Sequence, residues 1–281
     1  MSKAQIIRRL TPPLVWDFSK KNMPGLVRAL GGHYTHIRFH GDYATFDEAR
    51  AASTGYDAPN ILSKTREALL KIKRGENRWE RDAMVSNTEE MHWALLAALT
   101  FIAAAKGNRE ISVLDFGGSL GSTYFWCKPF LAPEIRIRWS VVEQLEHVRV
   151  GTSDFQNSEL KFFSEVDAAL ALEQPDVLLI SGVLQFLPEP EIFLRAILEK
   201  GFPFLLLDRT PLWNHARHRL TVQEVPEEIY RASYPAWFLS RERILSIIEE
   251  KYRLHSRAAD SENWEIDGEV VPNFLYFYRL K

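Results

Sequence analysis

The fold of this chain is decided by Val113-Leu114-Asp115-Phe116-Gly117-Gly118-Ser119-Leu120-Gly121-Ser122. An apolar run ends in an acid and is followed by closely spaced glycines, which predicts a buried strand, a tight turn and a helix start. Glycine tolerates positive φ and lets a ligand approach the backbone closely. The free amides at a helix start favour electron-rich groups. The stretch therefore predicts a nucleotide-cofactor site on an open α/β sheet, with an ordinary glycine turn as the alternative.

The composition is that of a globular chain without a disulfide framework. It has 281 residues, of which 46% are hydrophobic and 26% charged, and its single cysteine is Cys127. This length can bury a full core, and one cysteine suits a reducing compartment. No apolar run approaches the ~20 residues that cross a bilayer, and we expect no secretory signal. The expected location is cytoplasmic.

Charge is distributed unevenly along the chain. Residues 1–40 contain seven lysines and arginines but only one acid, Asp17, whereas the whole chain has a formal charge of −2. Apolar residues alternate with these bases, so the segment could make a peripheral contact with an anionic surface at the inner face of the membrane. The alternative is a solvated arm, which three prolines favour by interrupting any long amphipathic helix. Nucleic-acid binding is not expected, because the remaining chain is acidic and repels phosphate.

From residue 110 onward, apolar runs alternate with helical patterns. The strands are predicted at residues 111–116, 137–143, 160–164, 176–181, 202–208, 253–258 and 274–280. Such alternation predicts a mostly parallel sheet covered on both faces, with the last two strands pairing as an antiparallel edge. A capping box at residues 86–89 predicts the start of a preceding helix. We expect a basic and helical extension over 1–87, and a main domain over 88–281 with a lid inserted at 209–239.

The predicted turn and the end of the second strand define a cofactor site. Glu143 ends that strand, where a carboxylate can accept both hydroxyls of an adenosine ribose; the alternative is a surface acid. Asp115 would oppose a diphosphate but complement a cationic ligand. Ser122 also stands where a dinucleotide fingerprint needs its third glycine. These points favour S-adenosylmethionine over a nicotinamide dinucleotide.

Seven stretches together resemble a class I S-adenosylmethionine-dependent methyltransferase. They are Thr54-Gly55-Tyr56-Asp57, Glu80-Arg81-Asp82, residues 113–122, Trp139-Ser140-Val141-Val142-Glu143-Gln144, Ser181-Gly182-Val183-Leu184-Gln185, Asp208-Arg209-Thr210-Pro211 and Tyr234-Pro235-Ala236-Trp237. More narrowly, they resemble a family of methyltransferases associated with bacterial surface-polysaccharide biosynthesis. The resemblance runs from about residue 41 to the C-terminus. It departs from the wider class at Ser119, where that class has glycine, and at Gly118, which is an extra glycine.

The resemblance implies a doubly wound, Rossmann-like, seven-stranded and mostly parallel sheet with an antiparallel C-terminal strand. It implies methyl transfer from S-adenosylmethionine to a small-molecule or glycan-like acceptor, and we expect the accepting atom to be oxygen. The implied cofactor-binding residues are Asp115, Gly117, Gly118, Ser119, Gly121, Glu143, Gln144, Glu165, Ser181 and Gln185. The implied acceptor-binding residues are Tyr56, Arg81, Asp82, Arg209, Tyr234 and Trp237.

The general base is left open by the sequence. Asp208 ends the fifth strand and is either a base or an ion-paired structural acid. His215 and His218 lie in the lid and are candidates because histidine as a residue type suits proton transfer, although solvated surface histidines are the alternative. They have no third ligand at supporting spacing, so no metal is expected. Because Gln185 cannot act as a base, a catalytically silent cofactor-binding sensor remains a second hypothesis, and a nicotinamide-dependent oxidoreductase is the third.

Overall fold

The computed structural model describes residues 37–55, 59–81, 83–87, 92–226 and 232–281. Residues 38–281 form one compact unit. The predictions for the basic N-terminal segment, for Tyr56 and for Asp82 therefore lie wholly or largely outside the described residues. Within the described ranges, no helix combines the length and the apolar character needed to cross a membrane.

Short elements precede the main sheet. They are β1 (Arg38–Tyr43), α1 (Phe46–Ala51), α2 (Pro59–Lys73), β2 (Trp79–Arg81), β3 (Met84–Ser86) and α3 (Trp93–Ala105). The predicted capping box is wrong about where α3 begins, because Ser86 pairs with Trp79 in the β2–β3 hairpin. The N-cap of α3 is His92 instead, and its Nδ1 accepts a hydrogen bond from the Leu95 backbone N–H at 3.3 Å.

The main sheet has seven strands. They are β4 (Glu110–Phe116), β5 (Arg136–Val142), β6 (Leu160–Phe163), β7 (Val177–Ser181), β8 (Phe204–Asp208), β12 (Tyr252–Ile266) and β13 (Glu269–Leu280), in the spatial order β12-β13-β8-β7-β4-β5-β6. The strands from β4 to β8 pair in parallel, and β13 is antiparallel to both of its neighbours. This confirms the predicted α/β class, with a mostly parallel sheet and an antiparallel C-terminal strand.

Helices cover both faces of this sheet. They are α4 (Ser122–Cys127), α5 (Leu145–Asp154), α6 (Val166–Leu172), α7 (Pro190–Leu198) and α8 (Arg241–Lys251). Successive residues of β4 point to opposite faces, so Val113 belongs to one buried apolar cluster and Leu114 to the other. Two cores of this kind explain why the central strands are almost continuously apolar.

The segment between β8 and α8 is a small sheet rather than the loop that the sequence suggested. It contains β9 (Leu212–Trp213), β10 (Arg219–Val225) and β11 (Ala232–Ser240), and these combine with β1 in the order β1-β10-β11-β9. The β12–β13 hairpin is also longer than predicted. Strand β13 runs antiparallel to β8, and its last paired residue at the carboxyl end of β8 is Tyr276, opposite Leu207. The residues of β13 that precede Leu275 therefore extend beyond the carboxyl end of β8. Both features lie at the edge of the sheet where ligands are expected.

Candidate functional site

The glycine turn after β4 has the backbone geometry of a ligand cradle. Gly117, Ser119 and Gly121 have φ values of +73°, +52° and +90°, all in the left-handed region. A Cβ on Gly117 would lie 2.4 Å from Val183 Cγ2, and one on Gly118 would lie 2.4 Å from a carboxylate oxygen of Asp115. Glycine is therefore required at both positions. The left-handed φ of Ser119 also gives a physical reason for the glycine that the wider class has there.

Asp115 lies beneath this turn and is only 1% exposed. Its Oδ2 accepts a hydrogen bond from Trp139 Nε1 at 2.9 Å. Burial raises the pKa of Asp115 to about 7, the Trp139 bond opposes that rise, and the charge of Glu143 adds to it. The carboxyl group therefore carries less than a full negative charge near neutral pH. The case against a diphosphate then depends more on Ser122, which occupies the position of the third fingerprint glycine, than on this charge.

The raised pKa of Asp115 predicts a stability that falls as pH rises. The folded protein keeps a proton that the unfolded chain releases near pH 3.8, so stability declines from there until the folded pKa of about 7 is passed. A shift of this size corresponds to on the order of 4 kcal/mol. Asp115→Asn removes the titrating group and should therefore remove the decline. The free energy of unfolding of the variant, relative to that of the wild type, should rise between about pH 5 and pH 8 in urea unfolding.

Asp167 provides the control for this prediction, because it is an exposed aspartate whose ion pair with Lys200 lies on the surface. Asp167→Asn should leave the pH dependence of the unfolding free energy as in the wild type. Parallel pH profiles of the wild type and Asp115→Asn would show that Asp115 titrates normally in the folded protein.

Glu143 lies next to the turn at the carboxyl end of β5. Gly117 N–H donates to the Val142 carbonyl at 2.9 Å, which ties the turn to the residue before Glu143. The half-buried Glu143 accepts a hydrogen bond from the Gln144 backbone N–H at 2.6 Å through Oε2. Gln144 and Glu165 are exposed, and Glu165 directly follows the turn after β6, at the start of α6. The structure thus places these three predicted residues along one edge of the sheet.

A second polar cluster lies at the ends of β7 and β8. Ser181 and Asp208 are register partners in the sheet, and the Ser181 hydroxyl donates to Asp208 Oδ2 at 2.8 Å. Asp208 is 1% exposed, and its Oδ1 lies 3.0 Å from His92 Nε2. Burial alone would raise the pKa of Asp208. His92, the Ser181 hydroxyl and the charge of Arg209 together lower it by more than burial raises it, so the net pKa lies below its usual value. Asp208 is therefore held as an ionised carboxylate.

His92 joins Asp208 to a second acid. Because Nδ1 of His92 accepts the Leu95 N–H, the neutral ring carries its proton on Nε2 and donates it to Asp208. Asp260 Oδ2 lies 3.8 Å from the same nitrogen and accepts a hydrogen bond from Asn273 Nδ2 at 3.3 Å. A register shift between Ala259 and Asn263 gives β12 an irregularity at Asp260, and such bulges redirect side chains toward sites.

Gln185 and Arg209 lie beside this cluster. Gln185 is buried and donates through Nε2 to the Arg209 carbonyl at 3.2 Å. Its Oε1 has no hydrogen-bond partner among the described residues. Arg209 has a φ of +47°, a left-handed conformation that is strained for a long side chain. The Gly182 N–H donates to the Asp208 carbonyl at 3.1 Å, so both loops are fixed to the end of β8.

The two lid histidines bond to residues outside this cluster. His215 is exposed, and its Nε2 lies 2.9 Å from Glu269. His218 accepts the Ser240 N–H through Nδ1 at 2.8 Å, and its Nε2 lies 2.9 Å from Glu191. Burial, helped by the charge of Arg243, lowers the pKa of His218, and Glu191 offsets this lowering only in part. Within the described ranges, no group of three or more His, Cys, Asp or Glu side chains is placed to hold a metal ion.

The predicted acceptor residues divide into a packed pair and an N-terminal group. Tyr234 is buried and accepts a hydrogen bond from Gln223 at 3.0 Å, and Trp237 donates to the Leu187 carbonyl at 3.1 Å. Tyr234 therefore ties β11 to β10, and Trp237 attaches β11 to the loop after β7. Arg81 lies in β2, where only its backbone is described. Its neighbour Glu80 is buried and accepts a hydrogen bond from the Ser122 hydroxyl at the start of α4.

Sequence reasoning missed His92 and Asp260. The nearest signal was the capping box, which pointed to Ser86 instead. Two tryptophans also border the cluster: the Trp126 ring lies 6.0 Å from that of His92, and it stacks on Trp79 at the same centroid distance.

Comparisons with known proteins concern the fold. No family model matches the chain, and no curated protein is significantly similar to it. The N-terminal domain of EvdMO1, crystallised with SAH and D-fucose, has 16% identity and a TM-score of 0.47, covering 77% of this chain and 97% of that one. Magnesium protoporphyrin IX methyltransferase from Synechocystis PCC 6803, with bound SAM, has 14% identity and a TM-score of 0.45, covering 81% and 100%.

A third solved structure is 1,6-didemethyltoxoflavin-N1-methyltransferase from Burkholderia thailandensis, with bound 1,6-didemethyltoxoflavin and S-adenosylhomocysteine. It has 15% identity and a TM-score of 0.42, covering 89% of this chain and 98% of that one. These likenesses are weak. The strand order and directions of the sheet itself therefore carry the fold assignment.

Proposed function

We propose that the chain is an S-adenosylmethionine-dependent methyltransferase that acts on a hydroxyl group of a small-molecule or glycan-like acceptor. The observation that supports this most directly is the arrangement of two polar sites along one sheet edge. The glycine turn and Glu143 lie at the ends of β4 and β5, and Asp208 with its partners lies at the ends of β7 and β8. Since β4 and β7 are neighbours, a cofactor and an acceptor can meet there.

The residues present fit the cofactor. The turn has left-handed backbone at three positions and lacks Cβ atoms at Gly117 and Gly118, which leaves room for the amino-acid portion. Glu143 would hold the ribose, with Gln144 and Glu165 at the adenine rim. Ser181 and Gln185 would lie toward the reactive end. When bound, S-adenosylmethionine supplies an electrophilic methyl group on a sulfonium. The chain's own residues must then position the acceptor and receive its proton.

The proton-accepting group that the geometry favours is Asp208. It is held as a carboxylate, whereas His92 has one nitrogen capping α3 and the other bonded to Asp208. His92 and Ser181 would fix the carboxylate while the acceptor hydroxyl transfers its proton to it. Asp260, on the other side of His92, is the second carboxylate that can orient the acceptor. This assignment keeps the predicted role of Asp208 and adds His92 as a positioning residue.

The chemistry around Asp208 favours an uncharged hydroxyl acceptor. Two carboxylates flank one imidazole there, and a further anion would be repelled. Carboxylates, an amide and aromatic rings suit the hydroxyl groups and apolar faces of sugars. A role in surface-polysaccharide biosynthesis follows from the family resemblance and belongs to the same proposal. A silent cofactor-binding sensor is the second candidate, and it is favoured by the position of Gln185 in the site, since an amide cannot act as a base.

Titration calorimetry tests the cofactor assignment. We expect S-adenosylmethionine and S-adenosylhomocysteine to bind and NAD to leave no detectable heat, because Ser122 stands where a dinucleotide fingerprint needs its third glycine. Tight NAD binding with no response to S-adenosylmethionine would contradict the proposal. Release of S-adenosylhomocysteine in the presence of sugars, nucleotide sugars or glycans would separate an enzyme from a sensor, which would bind the cofactor without turnover.

A further inference from the structure

One surface of the molecule carries an uncharged helix with aromatic side chains directed outward. Helix α3 contains no charged residue. On its outer side, Trp93 is 63% and Phe101 42% exposed, and Ala97 lies exposed between them. At 1.5 Å per residue, Trp93 and Phe101 are about 12 Å apart along the helix. The outer face of a surface helix normally carries polar or charged residues, so this face requires an explanation.

Two neighbouring groups extend this apolar face. Phe130 is 53% exposed and packs edge-on against Trp93, with ring centroids 6.2 Å apart. At the other end, the His255 ring lies 4.6 Å from that of Phe101 and 4.8 Å from that of Phe277. Adjoining exposed aromatic side chains of this kind mark an interaction surface.

Two arginines face each other beside the aromatic residues. Arg253 of β12 and Arg279 of β13 are direct register partners, and both are exposed. Within the described residues, neither forms an ion pair. Arg279 lies two residues after Phe277, so it projects from the sheet face on which Phe277 meets Phe101. The basic and aromatic residues therefore belong to one surface.

The opposed arginines point to an anionic partner. Like charges placed directly opposite each other in a ladder are destabilising. Charged residues on an edge strand can be explained as protection against strand addition, which would account for Arg253. That explanation does not extend to Arg279, because β13 is an interior strand between β12 and β8. An anion bound between the two side chains would relieve their repulsion.

We propose that this surface, defined by Trp93, Phe101, Phe130, Arg253 and Arg279, binds an anionic lipid membrane. Lipid headgroups supply the negative charge for the arginines, and the interfacial region accommodates exposed tryptophan and phenylalanine. A nucleic acid would supply phosphates but no apolar layer for α3, and the chain's net charge of −2 opposes it. All five defining residues come after residue 40 in the sequence. The surface also stands apart from the proposed methyl transfer, although Trp93 directly follows His92 in the sequence.

Vesicle co-sedimentation of the full-length protein tests the proposal. The two probes are vesicles of phosphatidylcholine alone and vesicles that also contain phosphatidylglycerol. We expect binding only to the anionic vesicles. Arg253→Glu combined with Arg279→Glu should weaken it about twenty-five-fold or more, since each basic contact contributes a factor of about five. Trp93→Ala combined with Phe101→Ala should also weaken it, while both variants keep the wild-type circular dichroism spectrum.

Two double variants serve as controls for net charge. Arg149→Glu with Arg195→Glu changes the charge equally on helices α5 and α7 and should bind vesicles as the wild type does. Lys20→Glu with Lys21→Glu probes the N-terminal segment. The proposal is overturned if the wild type binds neither vesicle, if the Arg253/Arg279 variant binds normally, or if only the Lys20/Lys21 variant loses binding. Failure to bind vesicles together with a dimer that Trp93→Ala disrupts would instead assign the face to contacts between copies.

Discussion

Asp208→Asn should lower the rate of methyl transfer by about two to four orders of magnitude, the usual contribution of a positioned proton acceptor. The affinity for S-adenosylmethionine should stay within a few-fold of the wild type. An amide keeps the shape of the carboxylate and can still accept from His92, but it cannot take a proton from the acceptor. The measurement is the initial rate of S-adenosylhomocysteine release with the best acceptor found, together with calorimetry of cofactor binding.

Asp176 offers a matched control for Asp208. It lies at the opposite, amino end of the sheet, where it accepts hydrogen bonds from the Ser112 backbone and from Lys106. Asp176→Asn should therefore reduce the free energy of unfolding without changing the transfer rate per folded molecule. An Asp208→Asn enzyme that turns over at the wild-type rate, with the same pH profile, would show that the cluster is purely structural.

His92→Asn separates positioning from proton transfer. Asparagine is itself a favoured N-cap, so α3 should keep its start while Asp208 loses its imidazole partner. The pKa of Asp208 should then rise, because burial is no longer offset by that partner. If His92 acts through Asp208, the double variant should lose no more activity than Asp208→Asn alone. Additive losses would mean that the two side chains act separately.

The sequence predicted the central sheet because its signals are local. Val113, Leu114 and Phe116 supply apolar side chains to both faces of the sheet. Glycines follow, and the structure has a strand, a left-handed turn and a helix there. The remaining strands are likewise bounded by acids, glycines or prolines. Their ends agree to within a few residues, except in the β12–β13 hairpin, whose polar part the sequence pattern left as a loop.

The sheet in the lid and the role of His92 could not be predicted from the sequence, because both depend on contacts between residues far apart in the chain. The lid is a sheet because β10 pairs with β1, which brings together residues such as Phe39 and Gln223. Nothing local to either strand indicates that partner. His92 is functional in this proposal only through Asp208, which lies 116 residues further along the chain. Its neighbours in sequence suggest only the start of a helix, and even that start was placed too early.

Glu143→Ala should weaken binding of S-adenosylmethionine by about a hundred-fold or more. A carboxylate that accepts two ribose hydroxyls forms two charged hydrogen bonds, and each such bond contributes about 1.5–3 kcal/mol. The half-buried position of Glu143 strengthens them, because solvent competes less there than at a fully exposed site. Glu143→Gln should show a smaller loss, since the amide keeps one acceptor oxygen. Calorimetry with S-adenosylhomocysteine should give the same ranking, because both ligands carry the same adenosine.

Glu146 provides the control, one turn further along the chain. It is exposed and paired with Arg149 on the surface of α5, so Glu146→Ala removes the same charge without touching the sheet edge. Its affinity for the cofactor should equal that of the wild type. If Glu143→Ala binds S-adenosylmethionine as tightly as Glu146→Ala does, Glu143 does not hold the ribose. If both lose affinity equally, the effect comes from the overall field of the acidic edge. Only a loss confined to Glu143 is consistent with direct contact, because a general field effect falls off slowly over the few ångströms that separate the two positions.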